Sequence, residues 1–193
     1  MDTAKTVIYT LIFVILAAVA GGLIFIYSGA FDVSARWEDG PLVKWAVVTT
    51  RERSIEVRKE GIKVPANLDD PKVVMAGFKH YREMCVECHR APGLKGSETS
   101  KGLNPKPPNF GDLKEEDVDP AEFFWIIKNG IRMTAMPAWG VTHSDDKIWA
   151  MVAFLKKLPG MTPAQFKAMD EKAGPDTDHD ETPGEAHEHE HSH

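Results

Sequence analysis

The sequence contains only two cysteines, Cys85 and Cys88, among 193 residues. Because two residues separate them, the pair could act as a thiol redox couple or supply half of a zinc site. A zinc site needs two more ligands, but the chain has no second CxxC, and histidines at HxxxH spacing occur only in the C-terminal tail. The low hydrophobicity and high charge of this tail predict disorder. A zinc site is therefore disfavoured, and no cysteine is left over for a second role.

The sequence also lacks the signatures of several other functions. It contains no catalytic triad, no phosphate-binding loop and no nucleic-acid-binding motif. From Pro71 onward no segment shows sustained alternation of apolar and polar residues, which predicts an all-α domain. The net charge of −6 says little about that domain. Residues from Asp170 onward hold nine acids and one lysine, a net of −8, so the rest of the chain carries +2.

The stretch Cys85-Val86-Glu87-Cys88-His89 combines CxxC with a histidine that follows at once. This spacing is typical of the attachment site of a c-type haem. Two thiols three positions apart can each reach one vinyl group of the same porphyrin and form a thioether. His89 can then ligate the iron from below. The sequence therefore predicts one covalently bound haem c.

A second stretch, Met136-Pro137-Ala138-Trp139, supports this prediction. Electron-carrying haem proteins often use a methionine thioether as the sixth iron ligand, which raises the reduction potential. Together the two motifs resemble class I cytochromes c, in particular the small single-haem bacterial kind, over residues 74–159. The resemblance implies a cytochrome c-like domain of about four to five short helices around one covalent haem. Cys85 and Cys88 would attach the haem, and His89 and Met136 would be the proximal and distal iron ligands.

The resemblance implies further details of this domain. Ala135 stands where such loops often have glycine. Met133 is a nearby competitor of Met136, and we expect it to pack against the haem ring or the loop instead. A backbone carbonyl at Pro92 is expected to accept a hydrogen bond from the proximal imidazole. Gly77 is expected to let the first helix of the domain cross the helix that begins near Ser144.

Residues 7–27 form an apolar run without a charge, which is long enough to cross a bilayer. Ala18-Val19-Ala20 could be the cleavage site of a signal peptide, but the apolar run continues past it, which favours an uncleaved anchor. Lys5 precedes the run and Arg36 and Lys44 follow it, so loop charges do not give the orientation. Haem attachment in the family occurs outside the cytoplasm. The resemblance therefore implies a single-pass protein of the bacterial inner membrane with its haem domain facing the periplasm.

The chain is predicted to have four parts. They are an N-terminal transmembrane anchor (1–29), a connector (30–70), a cytochrome c domain with a C-terminal helix (71–174) and a disordered, acidic, histidine-rich tail (175–193).

The connector is predicted to contain one helix. Gly40-Pro41 is typical of a helix start. Ile55 and Val57 alternate with polar neighbours, which predicts a brief extended segment. The helix could cover the haem domain, or lie on the membrane or on a membrane partner. Trp37 and Trp45 would suit the membrane interface.

Within the haem domain, a capping residue before a proline predicts most helix starts. The expected helices begin at Asp70-Pro71 (to about Cys85), Asp119-Pro120 (to Asn129), Ser144 (to about Leu158) and Thr162-Pro163 (to about Lys172). Residues 94–118 are predicted to be a long loop that wraps the haem. His80 is expected to be a solvated surface residue.

Two functions from different classes fit these features. The first is a membrane-tethered one-electron carrier of a respiratory chain, which is not an enzyme because both axial iron positions are filled. The second is a haem c subunit of a larger membrane oxidoreductase, an oxidase or a dehydrogenase. A third, a haem sensor, would need an output domain, and none is visible.

Expected partners are redox proteins. The donor would be a dehydrogenase or a quinol-oxidising complex, and the acceptor an oxidase or a soluble cytochrome. Alternating histidines in the tail could in addition bind a divalent metal loosely, or simply be solvated. These are His187, His189, His191 and His193.

Overall fold

A computed structural model describes residues 2–175, and within that range every regular element is helical. The predicted all-α fold class is confirmed. The helices are α1 (Thr3–Ser28), α2 (Pro41–Lys59), α3 (Pro71–His80), α4 (Val86–His89), α5 (Glu98–Gly102), α6 (Pro120–Asn129), α7 (Asp145–Leu155) and α8 (Pro163–Ala173). The predicted disordered tail, with its histidines, lies outside the described residues from position 176 onward.

The chain divides into two compact units, one up to Pro41 and one from Leu42 onward. In the first unit, α1 contains the whole predicted span and has no buried residue. Its 26 residues are long and apolar enough to cross a membrane. The helix ends at Gly29, whose φ of +68° is the left-handed conformation that commonly terminates helices.

The second unit begins its central helices where the sequence predicts. The Asp70 carboxylate accepts a hydrogen bond from the backbone N–H of Lys72 at 2.8 Å, and Asp119 accepts one from Ala121 at 2.9 Å. Each bond satisfies an N–H group that a helix start leaves without a partner. The predicted starts of α3 and α6 are thereby confirmed.

Helices α3 and α7 cross in direct backbone contact at Gly77. A Cβ atom on Gly77 would stand 1.8 Å from the carbonyl oxygen of Ala150. Only glycine lets the two backbones approach so closely. The predicted helix crossing is therefore confirmed.

The core around this crossing is aromatic. The rings of Phe78 and Phe154 lie edge to face at 5.3 Å, and Phe166 of α8 lies 5.1 Å from Phe78. Tyr81, one turn beyond Gly77, packs on Phe154 at 5.1 Å. Such pairs add about 0.5–1.5 kcal/mol to the burial of their surface. They hold the end of α3 in place, and the CxxCH segment follows directly from that end.

Helix α2 differs from the prediction for the connector. It is continuous through Lys59, so the predicted extended segment at Ile55 and Val57 is wrong. Ile55 is buried, whereas Val57 is 65% exposed. Residues two apart lie on opposite sides of a helix, so this apolar pair does not mark one face of a strand.

Lys59 joins the second half of α2 to the helical domain, and Ile55 in the same half is buried. The Lys59 ammonium lies 2.9 Å from Asp119 and 3.3 Å from Glu122 of α6, and 2.7 Å from Glu56. These carboxylates, Glu56 most strongly, raise the pKa of Lys59. This end of α2 therefore acts as a covering helix, one of the two predicted roles.

The predicted long loop 94–118 contains short helical elements. Helix α5 lies within it, and two 3₁₀ turns follow at Phe110–Asp112 and Glu115–Asp117. Ser97 caps α5 by accepting a hydrogen bond from the N–H of Ser100. Its hydroxyl also donates to the carbonyl of Glu87 at 2.6 Å, which ties the loop to the CxxCH segment.

Candidate functional site

The CxxCH segment occupies a distorted helical region after α3. One π-helical turn, Tyr81–Cys85, is followed by the four-residue helix α4, which ends at His89. Single π turns inside helices occur frequently at functional sites. Both cysteines are half-buried and form no disulfide. The geometry thus brings together the three residues that the sequence predicts.

The chemistry of these thiols does not suit a thiol redox pair. Burial, together with the neighbouring Cys88, raises the pKa of Cys85 to about 12. Redox-active CxxC motifs instead have a cysteine of lowered pKa. A zinc site is not supported either, because residues 2–175 contain no group of three or more His, Cys, Asp or Glu side chains arranged to hold a metal ion.

The imidazole of His89 is oriented by a backbone carbonyl. Its Nδ1 lies 3.0 Å from the carbonyl oxygen of Pro108. When Nδ1 carries the proton it donates to Pro108, and the lone pair of Nε2 is then available for a metal ion. Burial lowers the pKa of His89, which favours the neutral ring that a ligand needs. This donor set fits a haem iron.

The predicted acceptor for this hydrogen bond, Pro92, is wrong. Pro92 lies three residues after His89, at a turn in which the N–H of Leu94 donates to the carbonyl of Ala91. The chain returns to the imidazole only after α5, at Pro108. Every residue carries a carbonyl, so no side-chain signal identifies the acceptor.

Two more contacts at the site were not predicted. Phe110 stacks on the His89 ring with 4.4 Å between centroids. The buried hydroxyl of Tyr81 donates to the carbonyl of Arg90 at 2.6 Å. This bond holds Arg90 at a φ of +66°, a left-handed conformation that non-glycine residues rarely adopt. The two contacts fix the His89 ring and the chain that immediately follows it.

The methionine loop that follows α6 is folded back tightly on itself. Gly130 ends α6 with a φ of +65°, and a Cβ atom there would lie 2.8 Å from the carbonyl oxygen of Met136. The N–H of Ile131 donates to that same oxygen at 3.2 Å. The N–H of Met136 donates to the hydroxyl of Thr134 at 3.1 Å. The backbone of Met136 is thus held from both sides.

The two methionines of this loop have different environments. Met136 is half-buried and packs against the core. Met133 is 88% exposed and has a φ of +61°, at the outside of the turn. The expectation that Met133 packs against the loop is therefore wrong, because the left-handed turn directs its side chain to solvent. The placement favours Met136 as the ligand.

His80 and His143 lie together near the loop. Their ring centroids are 5.7 Å apart, and Trp139 lies 5.3 Å from His143. His80 is half-buried, so the expectation of a solvated surface residue is wrong. The Nδ1 of His143 forms a 2.8 Å hydrogen bond with the hydroxyl of Thr142. Desolvation, with the charge of Lys147, lowers the pKa of His143.

Residues 72–155 match the family model described as cytochrome c oxidase, cbb3-type, subunit III. These residues form a class I c-type cytochrome domain. The domain binds covalently attached haem c and performs haem-based electron transfer, and Cys85, Cys88 and His89 fit its attachment motif. The match runs from α3 to α7 and includes neither α1 nor α2. The match therefore identifies residues 72–155.

If both thiols bind the haem covalently, replacing the cysteines one at a time should weaken haem attachment in steps. Acid–acetone extraction of the wild type should leave one haem on the polypeptide, seen as a mass gain of one haem. Cys85→Ser or Cys88→Ser should retain the haem through one thioether with a shifted optical spectrum. The double variant should release all haem. Release of free haem from the wild type would contradict the assignment.

Proposed function

We propose that this protein is a membrane-tethered one-electron carrier of a respiratory chain, with its haem ligated by His89 and Met136. The observation that carries the proposal is the hydrogen bond between His89 Nδ1 and the carbonyl of Pro108, which would leave Nε2 free to ligate the iron. The haem, when bound, supplies a ferric/ferrous one-electron couple. With His89 and Met136 both bound, the iron would have no open position for a substrate. The proposed role is therefore electron transfer and not catalysis at the metal.

Each residue of the proposed site has a separate role. Cys85 and Cys88 attach the haem. Pro108 orients the His89 imidazole and raises its basicity, because a metal-bound histidine becomes a stronger donor when its other N–H is hydrogen-bonded. Met136 supplies a neutral thioether, which favours ferrous iron and raises the potential.

We propose further that α1 is an uncleaved anchor in the bacterial inner membrane and that the cytochrome domain faces the periplasm. The support is its 26-residue apolar length. In that arrangement residues 1–29 form the anchor, 30–70 the connector and 71–174 the cytochrome domain. Donor and acceptor are redox proteins at the same membrane, such as a quinol-oxidising complex and an oxidase.

An uncleaved anchor predicts that the mature protein stays in the membrane pellet after a high-salt wash. The reason is that burial of about twenty apolar residues in hydrocarbon is insensitive to ionic strength. N-terminal sequencing of the purified protein provides the control. A mature N-terminus near Gly21 would show that the segment is a signal peptide.

A second function, a haem c subunit of a larger membrane oxidoreductase, is favoured by one observation. The matching family is described as a subunit of an oxidase. Native purification in mild detergent distinguishes the two functions. A free carrier should elute as a particle of this chain alone, whereas a subunit should co-purify with other polypeptides in fixed stoichiometry.

A further inference from the structure

The first half of α2 has a broad, exposed apolar face. Leu42, Trp45, Val47 and Val43 are 75%, 64%, 55% and 46% exposed. Successive helix positions are about 100° apart, so these four side chains lie within an arc of about 200°, and Lys44 lies on the opposite side. An apolar helix face of this width is normally covered by apolar material.

The second half of the same helix is fixed to the cytochrome domain. Ile55 is 6% exposed, and Lys59 bridges to Asp119 and Glu122 at the start of α6. Helix α2 is uninterrupted from Pro41 to Lys59. The exposed apolar half therefore projects from the domain as part of one rigid helix and is not a loose linker.

The composition of the exposed half suits the boundary between lipid and water. Residues 41–48 contain no acid and one base, Lys44, whose long side chain can reach the headgroups. Trp45 is a residue type enriched at membrane interfaces. On the next turn Arg51 pairs with Glu52 at 3.6 Å, and Arg53 carries the charge that complements anionic headgroups. The acidic pair Glu38 and Asp39 precedes the helix and lies outside these turns.

Chain length places this half within reach of the bilayer. Only residues 29–40 separate α1 from α2, and a fully extended chain of that length spans about 40 Å. An interfacial helix lies in the plane of the membrane with its apolar face buried about 5–10 Å deep and its charged side chains toward the headgroups. The broad apolar face of residues 41–48, with Lys44 opposite, suits that position.

We propose that residues 41–48 of α2 insert into the lipid interface of the membrane that α1 spans and hold the cytochrome domain in one orientation. The proposal rests on the proposed tether by α1. It also gives the second half of α2 a function. Because Lys59 joins this half to the start of α6, the inserted half would keep α6, the helix that leads into the methionine loop, at a fixed angle to the membrane. The haem edge then faces partners at one fixed angle to the membrane.

Single spin labels in the full-length haem protein test the insertion. Both native cysteines are consumed by the haem, so an introduced cysteine is the only free thiol in the described residues. In vesicles of phosphatidylethanolamine and phosphatidylglycerol, a label at Leu42→Cys should collide more with oxygen than with an aqueous nickel chelate. Val57→Cys, exposed on the same helix, is the matched control and should show the reverse ratio.

Two outcomes would overturn the proposal. A Leu42→Cys label with the aqueous ratio would place residues 41–48 in water. A label shielded from both reagents would show that a protein partner, and not lipid, covers them. Release of the wild-type protein by the high-salt wash would instead reject the tether itself, so the two failures are distinguishable.

The orientation is tested with oriented multilayers that contain the ferric protein. The wild-type haem signal in electron paramagnetic resonance should vary with the angle between the layers and the field. Leu42→Glu/Trp45→Glu should abolish this variation while α1 keeps the protein in the membrane and the optical spectrum stays intact. Val57→Glu should retain it. Unchanged angular dependence in the double variant would overturn the orienting role.

Discussion

Met136→Ala should remove the weak near-infrared sulfur-to-iron band of the ferric haem and lower the reduction potential. A thioether is a soft, neutral ligand that stabilises ferrous relative to ferric iron. Its loss should shift the ferrous/ferric equilibrium by at least tenfold, which corresponds to about 59 mV for one electron. The open iron position should then bind small ligands such as carbon monoxide. Potentiometric titration and near-infrared absorption provide the measurements.

Met133→Ala is the matched control for this substitution. Its side chain is 88% exposed, so removal should leave both band and potential unchanged. Loss of the band in Met133→Ala with retention in Met136→Ala would mean that the ligand is misassigned. Retention of the band in both variants would mean that another side chain is the sixth ligand. His143 would then be examined next, although the structure engages its Nδ1 with Thr142.

Gly77→Ala should destabilise the cytochrome domain by about 3 kcal/mol, the upper end of the usual cost of overpacking. The new Cβ would meet the carbonyl of Ala150 at 1.8 Å, and a backbone atom cannot move aside as a flexible side chain can. Helices α3 and α7 would have to separate. Because α3 leads into the CxxCH segment, the haem should also lose its sixth ligand at a lower denaturant concentration. Denaturation followed by circular dichroism and by the sulfur-to-iron band measures both effects.

Gly102→Ala is the control for the intrinsic effect of alanine in a helix. Gly102 ends α5, and a Cβ atom there would meet nothing within 4 Å. Alanine is favoured over glycine in helices by about 1 kcal/mol, so this variant should be neutral or slightly more stable. A similar loss in both variants would contradict the packing explanation for Gly77.

The position of the methionine loop depends more on packing than on ion pairs. Lys128 of α6 forms an ion pair with Asp145 of α7 at 2.6 Å, but both side chains are substantially exposed, and such pairs contribute about 0–1 kcal/mol. At Gly140, by contrast, a Cβ atom would lie 2.8 Å from the carbonyl oxygen of Lys128. The close return of the loop onto α6 is therefore the stronger constraint on where Met136 lies.

Local sequence patterns determine the haem attachment site, the main helix starts and the apolar helix α1. CxxCH specifies the haem because two thiols and an imidazole must meet one porphyrin within a few residues of chain. Asp70 and Asp119 mark helix starts because capping acts within three residues. The apolar length of α1 is equally local. These features could be predicted without knowledge of any long-range contact.

The tertiary structure decided what depends on residues distant in sequence. The acceptor for His89 is Pro108, not Pro92, because a backbone carbonyl is common to all residues and only the path of the chain selects one. Met133 lies outside because the loop turns left-handed there, which its side chain does not signal. Helix α2 is continuous through Lys59, where Ile55 is buried and Lys59 pairs with Asp119, sixty residues along the chain, and this tertiary context outweighs a weak local pattern.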